Sequence, residues 1–422
     1  MINCWNLESK AKLVVEEIPY LKSAAIGVYI RVGSRNENTD IAGASHFIEH
    51  MLFKGTQKRS AREIAESFES IGGQLNAFTS KEYTCVYART LDENIYMAID
   101  ILFDMLFNSQ FRVRDVTTEK EVVIEEINMY EDTPDDLIHD VFARSLWEGH
   151  PMGSPILGTL ESVSSFSSQD IYDFYKSRYI PANMVISVAG NVESSKIKDT
   201  IEKYLDNHGR GESECGNFEP LANKTFIKLL DKKTEQVQIC LGVPGISYHD
   251  PHRYTQNVMN SILGGGMSSR LFQTIREEHG LAYSIYSYPS NYSDTGSYSI
   301  HIGTGAAKIS KFFEVLYIEL NKFINEGVSQ EEVLRTQQLI KASMYMSLES
   351  VMNRMSRMGK SLLMYDKILP IEKVIDKVLA IDSEMVMEFS SGILKNELFS
   401  LAAIGSGEVL SVVENEYRKW WS

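Results

Sequence analysis

Only four cysteines occur in 422 residues, at positions 4, 85, 215 and 240, and no two form a Cys-x-x-Cys pair. A zinc ribbon and a dithiol redox motif are therefore both excluded, and reduced thiols are expected. Long apolar runs are absent as well, which leaves no membrane-spanning helix in prospect. The segment from Met1 to Glu17 carries Glu8, Glu16 and Glu17 with no uninterrupted apolar core, unlike a secretory signal or an Arg-rich transit peptide, so the cytoplasm is the expected address. Basic residues are in deficit, 42 Lys and Arg against 57 Asp and Glu, for a net charge of −15. That balance argues against nucleic acid or an anionic membrane surface as a partner, because phosphate binding needs clustered cations. Acidic charge lining a binding cavity would instead attract basic peptides. The triple glycine Gly264–Gly266 is not followed by the Gly-Lys-Ser/Thr of a phosphate-cradling loop, which removes nucleotide binding.

What is present is a hydrophobic content of 43%, enough core for two domains of ordinary size. The segment Ala44–Phe53 (ASHFIEHMLF) has no Pro or Gly, and Phe47, Ile48, Met51 and Leu52 supply a side to bury, so it is expected to be helical. Residues four apart lie on one helical face, so His46 and His50 can offer two imidazoles to one metal ion with Glu49 beside them. Zinc favours neutral imidazole nitrogen, and a carboxylate next to a ligand can take a proton from water held by the metal. The plainer alternative is two surface histidines on an amphipathic helix. Downstream, Asp115–Tyr130 reads as a second helix with acidic residues near its start, where the helix dipole favours them. Glu119 and Glu126 stand two turns apart on one face; either could reach a metal, and Glu125 competes.

The order His46-x-x-Glu49-His50, then Glu126 seventy-six positions after His50 with Glu119 seven before it, resembles the inverted-motif zinc peptidases of the pitrilysin, insulysin and mitochondrial processing peptidase family. The resemblance implies one zinc ion per chain held by His46, His50 and Glu126. It implies Glu49 as general base and Glu119 as a supporting acid, and the family spacing favours Glu126 over Glu125. It also implies a zinc endopeptidase acting on unfolded peptides or presequences, with a non-catalytic peptide-binding or scaffold subunit as the alternative, and a homodimer as the favoured assembly.

Gly72–Ala88 reads as a Gly-Gly turn into a strand pair. By resemblance the first strand lies at a sheet edge where extended substrate adds as a further strand, making Asn76 and Ala77 substrate contacts. The stretch 207–222 is rich in Gly and polar residues and marks a boundary between a zinc-bearing domain, 1–206, and a second domain, 223–422. The second domain reads as a diverged copy: Val237–Pro244 parallels the Ile26–Gly33 strand, Lys395–Gly405 parallels the strand ending at Gly190, and Arg253–Gly264 stands where the metal helix would be. The family reading places Arg276 and Tyr283, seven apart, across the cavity from the zinc as donors to the substrate carbonyl. His139 and His150 lie in loop-like polar stretches and are read as structural. The expected fold is α+β: two homologous halves, each an antiparallel sheet backed by helices, forming a clamshell around a peptide chamber.

Overall fold

The computed structural model describes residues 1–206, 208 and 224–421. Apart from His208, the linker expected at 207–222 lies outside the described residues, as does Cys215. Cys4, Cys85 and Cys240 are unpaired thiols. Among the described residues no helix is long and apolar enough to cross a membrane.

The chain forms two units. The first contains the strands β1 (Ile2–Asn6), β2 (Lys12–Glu17), β3 (Ser23–Ile30), β4 (Gln74–Thr79), β5 (Thr84–Leu91) and β6 (Met184–Gly190). They lie in the order β1-β2-β6-β3-β5-β4. All neighbours are antiparallel except β2 and β6, which run parallel. The sheet is thus mixed where a purely antiparallel one was expected, because β2 and β6 are joined through most of the unit and no hairpin dictates their direction. Both ends of the order are edges, and β4 is one of them.

Four helices matter for the site: α1 (Ala44–Leu52), α2 (Ala61–Ser70), α3 (Ile95–Asn108) and α4 (Val113–Glu131). Phe47, Ile48, Met51 and Leu52 of α1 bury with Leu102 and Leu106 of α3 against Ile26 and Val28 of the sheet. Each such side chain contributes about 1.5–3 kcal/mol on leaving water. That apolar anchorage fixes which side of α1 is left for its polar residues.

The other sheet face is covered by a helix from far along the chain, Val351–Tyr365, whose Met355, Met358 and Leu362 pack on Val14, Ala25, Tyr29 and Val185. Close approach depends on glycine. A Cβ on Gly359 would fall 2.2 Å from a ring carbon of Tyr29, and one on Gly27 would fall 2.4 Å from the sulfur of Met355. Gly359→Val is therefore expected to destabilise the fold by about 1–3 kcal/mol through overpacking, read as a lowered urea midpoint at unchanged slope.

The second unit repeats the plan. Its strands are β7 (Ile227–Asp231), β8 (Val237–Pro244), β9 (Ser284–Asn291), β10 (Gly296–Thr304) and β11 (Ser400–Gly405), ordered β7-β11-β8-β10-β9. This is the order of the first sheet without β1, again with one parallel pair, β7 and β11. The strands matched in sequence, β8 with β3 and β11 with β6, occupy the same places, as a duplication requires. Here the outer face is covered by helix α5 (Pro134–Leu146), whose Ile138 and Phe142 pack on Cys240, Ala402 and Ile404. A Cβ on Gly242 would fall 2.6 Å from the Phe142 ring, mirroring Gly27.

The units therefore do not divide at the linker. Met129–Gly153 belongs with the second unit and Tyr345–Ile368 with the first. The expected boundaries, 1–206 and 223–422, miss this exchange because a sheet apolar on both faces needs a helix on each, and sequence patterning does not say which helix supplies it.

Candidate metal centre

Helix α1 is preceded by Gly43, in the left-handed region at φ 93°, which has no side chain to cap the helix amides. Glu37 does so instead: its carboxylate accepts from the backbone N–H of Gly43 at 2.7 Å and of Ser45 at 2.6 Å. A buried carboxylate thus fixes the start of the helix that carries the two histidines. Burial pushes the Glu37 carboxyl up to about 7, against the hydrogen bonds from Ser45 and Gly43.

One turn on, His46 and His50 face each other with Nε2 atoms 3.3 Å apart. From α4, the Glu126 carboxylate reaches within 3.7 Å of His46 Nε2 and 3.5 Å of His50 Nε2. The 3.7 Å approach is from Oε1 and the 3.5 Å approach from Oε2, both near the roughly 3.4 Å that separates donors about 2.0–2.1 Å from one tetrahedral ion, so the group is compatible with zinc. Among the described residues this is the one group of three His, Cys, Asp or Glu side chains close enough to share an ion. Glu125 is exposed and outside the group.

Glu119, 2% exposed, supports the site from behind: Oε1 lies 2.8 Å from His50 Nδ1 and Oε2 contacts Lys54 Nζ. Burial works against ionisation of Glu119, but His50 and Lys54 outweigh it and hold the carboxyl below its ordinary range. An ionised Glu119 only accepts, so His50 Nδ1 carries the proton and Nε2 is turned to the metal position. Burial and the neighbouring His50 push His46 down to about 4; burial also opposes a charged His50, but Glu119 and Glu126 raise it to about 9. The two carboxylates favour positive charge at the paired rings.

Glu49 is largely buried, and burial pushes its carboxyl up, tempered by the Thr79 hydroxyl that donates to Oε2 at 2.5 Å. Thr79 ends edge strand β4, so one strand both orients this carboxylate and presents open backbone. On β4, Asn76 is exposed and Ala77 nearly buried, and the Asn76 side chain accepts from the Ala77 N–H at 2.8 Å.

Arg276 and Tyr283 lie in the second unit. Arg276 sits on a short π-helix, Phe272–Glu278, with its guanidinium 5.7 Å from the Tyr283 ring and 4.8 Å from that of Phe272. Tyr283 is 73% exposed. In place of the His-x-x-Glu-His helix this unit has an ordinary helix, Arg253–Leu263. His139 and His150 are far from three-ligand company: His150 Nδ1 accepts from the Met152 N–H at 3.1 Å, and His139 bonds tyrosines.

Sequence reasoning did not single out Glu37, Lys54 or Thr79. The signal for Glu37 was available, since an uncapped glycine before a helix calls for an acid nearby; those for Lys54 and Thr79 were not, because each acts on a residue distant in sequence.

Residues 12–160 match the family model described as Insulinase (Peptidase family M16), and residues 165–340 match that described as Peptidase M16 inactive domain. The chain is 44% identical to the uncharacterized zinc protease YmxG of Bacillus subtilis (strain 168), over 92% of this chain and 94% of that one. It is 36% identical to an uncharacterized zinc protease of Streptomyces coelicolor, over 93% and 87% of the two chains. Among solved structures it is similar to a peptidase M16 inactive domain from Pseudomonas fluorescens, with a TM-score of 0.90 at 19% identity over 96% and 98% of the two chains. A protease from Helicobacter pylori gives 0.88 at 19% identity over 96% and 99%. The structural likenesses carry the α+β fold of two sheet-and-helix halves; the family models and the sequence relatives show that the chain belongs to peptidase family M16.

Proposed function

We propose that this chain is a zinc-dependent endopeptidase that cuts extended peptides. The single observation carrying the reading is the convergence of His46, His50 and Glu126 with Glu49 on the same helix as the two imidazoles. When bound, zinc supplies Lewis acidity, polarising a carbonyl and lowering the pKa of water. The chain supplies the rest. Glu49, held by Thr79, takes the proton of the attacking water and delivers it to the leaving nitrogen. Strand β4 aligns the substrate by backbone pairing, with the outward N–H of Ala77 passing from the Asn76 side chain to a peptide carbonyl.

Next to β4, Phe53, Ile64, Phe68, Leu75, Asn76 and Tyr87 line a cavity of about 620 Å³. An apolar substrate side chain suits it, and this local feature outweighs the diffuse attraction of basic peptides expected from net charge. Arg276 and Tyr283 are exposed and in contact with each other, which leaves both free to donate to a peptide carbonyl. Arg276→Ala is expected to lower kcat/KM by about a hundredfold while zinc content stays unchanged. An equal loss of zinc would remove the assignment.

The test is the purified full chain with a mixed peptide pool, with and without chelator, the cuts mapped by mass spectrometry. Cleavage that chelator stops and zinc restores, next to apolar residues, is expected. Peptide binding without any cut would favour a capture subunit instead.

A further inference from the structure

Edge strand β4 has two faces, and the candidate metal centre uses only one. On that side Ala77 joins the core that holds α1, Leu75 packs against the same core, and the Thr79 hydroxyl donates to Glu49. Side chains alternate along a strand, so Asn76 and Phe78 point the other way, toward helix Val351–Tyr365. Phe78 packs there against the cluster containing Tyr29, Cys85 and Met355, and its ring meets that of Tyr83 at 5.8 Å between centroids.

From that helix comes Lys360, next to the Gly359 whose missing side chain admits the Tyr29 ring. Its Nζ lies 5.9 Å from the centroid of the Phe78 ring. Its charge also acts on Cys85, which faces Phe78 across the β4–β5 ladder. Lys360 is half-buried, and among the described residues no carboxylate pairs with its ammonium. A cation held over an aromatic ring without a counter-ion is placed to receive an anion. The open side of β4 is where, in the function proposed above, a peptide pairs. Side chains directly opposite each other on neighbouring strands have Cβ atoms about 4.5–5.5 Å apart, which brings one peptide side chain beside Phe78 and its lysine.

We propose that Lys360 is a specificity-determining residue that favours Asp or Glu at the substrate position opposite Phe78. The proposal rests on the reading that peptides add to β4, and it gives that pairing a register. Leu75 borders the apolar cavity and Phe78 the lysine; the two are three residues apart and on opposite faces of the strand. An added strand keeps the same period, so the preferred peptide has its acidic residue three positions from its apolar one. A spacing of two or four turns the acid to the face where Glu49 lies, and like charge opposes it. The net charge of −15 by itself attracts basic peptides, so an acidic preference at one spacing has no diffuse source.

The experiment uses the zinc-loaded full chain and peptides with one Phe and one Glu separated by two, three or four positions, in both orders, each beside its Gln counterpart. In one order the three-position peptide is expected to exceed its Gln counterpart about three- to tenfold in kcat/KM, as for a partly shielded ion pair, and the gain shrinks as salt is raised. Lys360→Met, which keeps the stem over Phe78, abolishes the gain at unchanged zinc content. Lys360→Glu transfers it to a peptide with Lys in place of Glu. Binding of the same peptides to Glu49→Gln, followed by fluorescence anisotropy, reads the preference without a cut. The spacing preference in binding with no cleavage by the unaltered chain removes the peptidase reading alone; cleavage with no preference removes this inference alone. A preference missing from both readouts, equal in size at two or four positions, or surviving Lys360→Met overturns it.

Discussion

Glu49→Gln is expected to keep zinc and to lower kcat/KM by about 10²–10⁴-fold, the usual contribution of a positioned acid–base group. The substitution preserves volume and the ability to accept from Thr79 at 2.5 Å, so α1 and its two imidazoles stay in place. What it removes is the capacity to hold a proton between the attack on the carbonyl and departure of the amine. Glu49 is not among the three clustered donors, so metal content, measured by calorimetry or elemental analysis, should not fall. Undiminished turnover at full metal content would remove Glu49 from the reaction.

Glu126→Gln carries the second large effect, and it falls on the metal itself. Glu126 supplies the third corner of the donor set at 3.5 and 3.7 Å from the imidazole nitrogens. An amide oxygen is a weak replacement for a carboxylate, and the two-imidazole remnant binds zinc poorly. Removing the outer support, Glu119→Gln, is expected to cost about 10–100-fold in zinc affinity, and Glu126→Gln should cost more than that. Glu125→Gln, one position away and exposed, should change neither affinity nor rate. Competition with a colorimetric chelator gives all three affinities; equal losses at 125 and 126 would refute the choice of Glu126.

Much of this site was legible in the sequence because its determinants are local. The four-residue spacing of His46 and His50 needs only a helix, and the apolar residues of Ala44–Phe53 dictate one. The strands 74–79 and 84–91 announce themselves by a Gly-Gly turn and β-branched residues. Glu126 against Glu125 is different, since helical phase alone leaves both open and only packing of α4 on α1 decides. Thr79 and Lys54 were not legible at all: each meets its partner across 30 and 65 positions of chain respectively. The parallel pairing of β2 with β6 escaped for the same reason, because strand direction between distant segments is a property of the whole unit.

The swapped coverage of the two outer sheet faces bears on how the protein could be dissected. A fragment ending near residue 206 would lack Val351–Tyr365 and would leave Val14, Tyr29 and Val185 wet. A fragment starting near residue 223 would lack α5 and strip Cys240, Ala402 and Ile404 in the same way. Severed at the linker, both pieces should be sticky and poorly soluble, while the uncut polypeptide should melt with the two halves bound into one cooperative event.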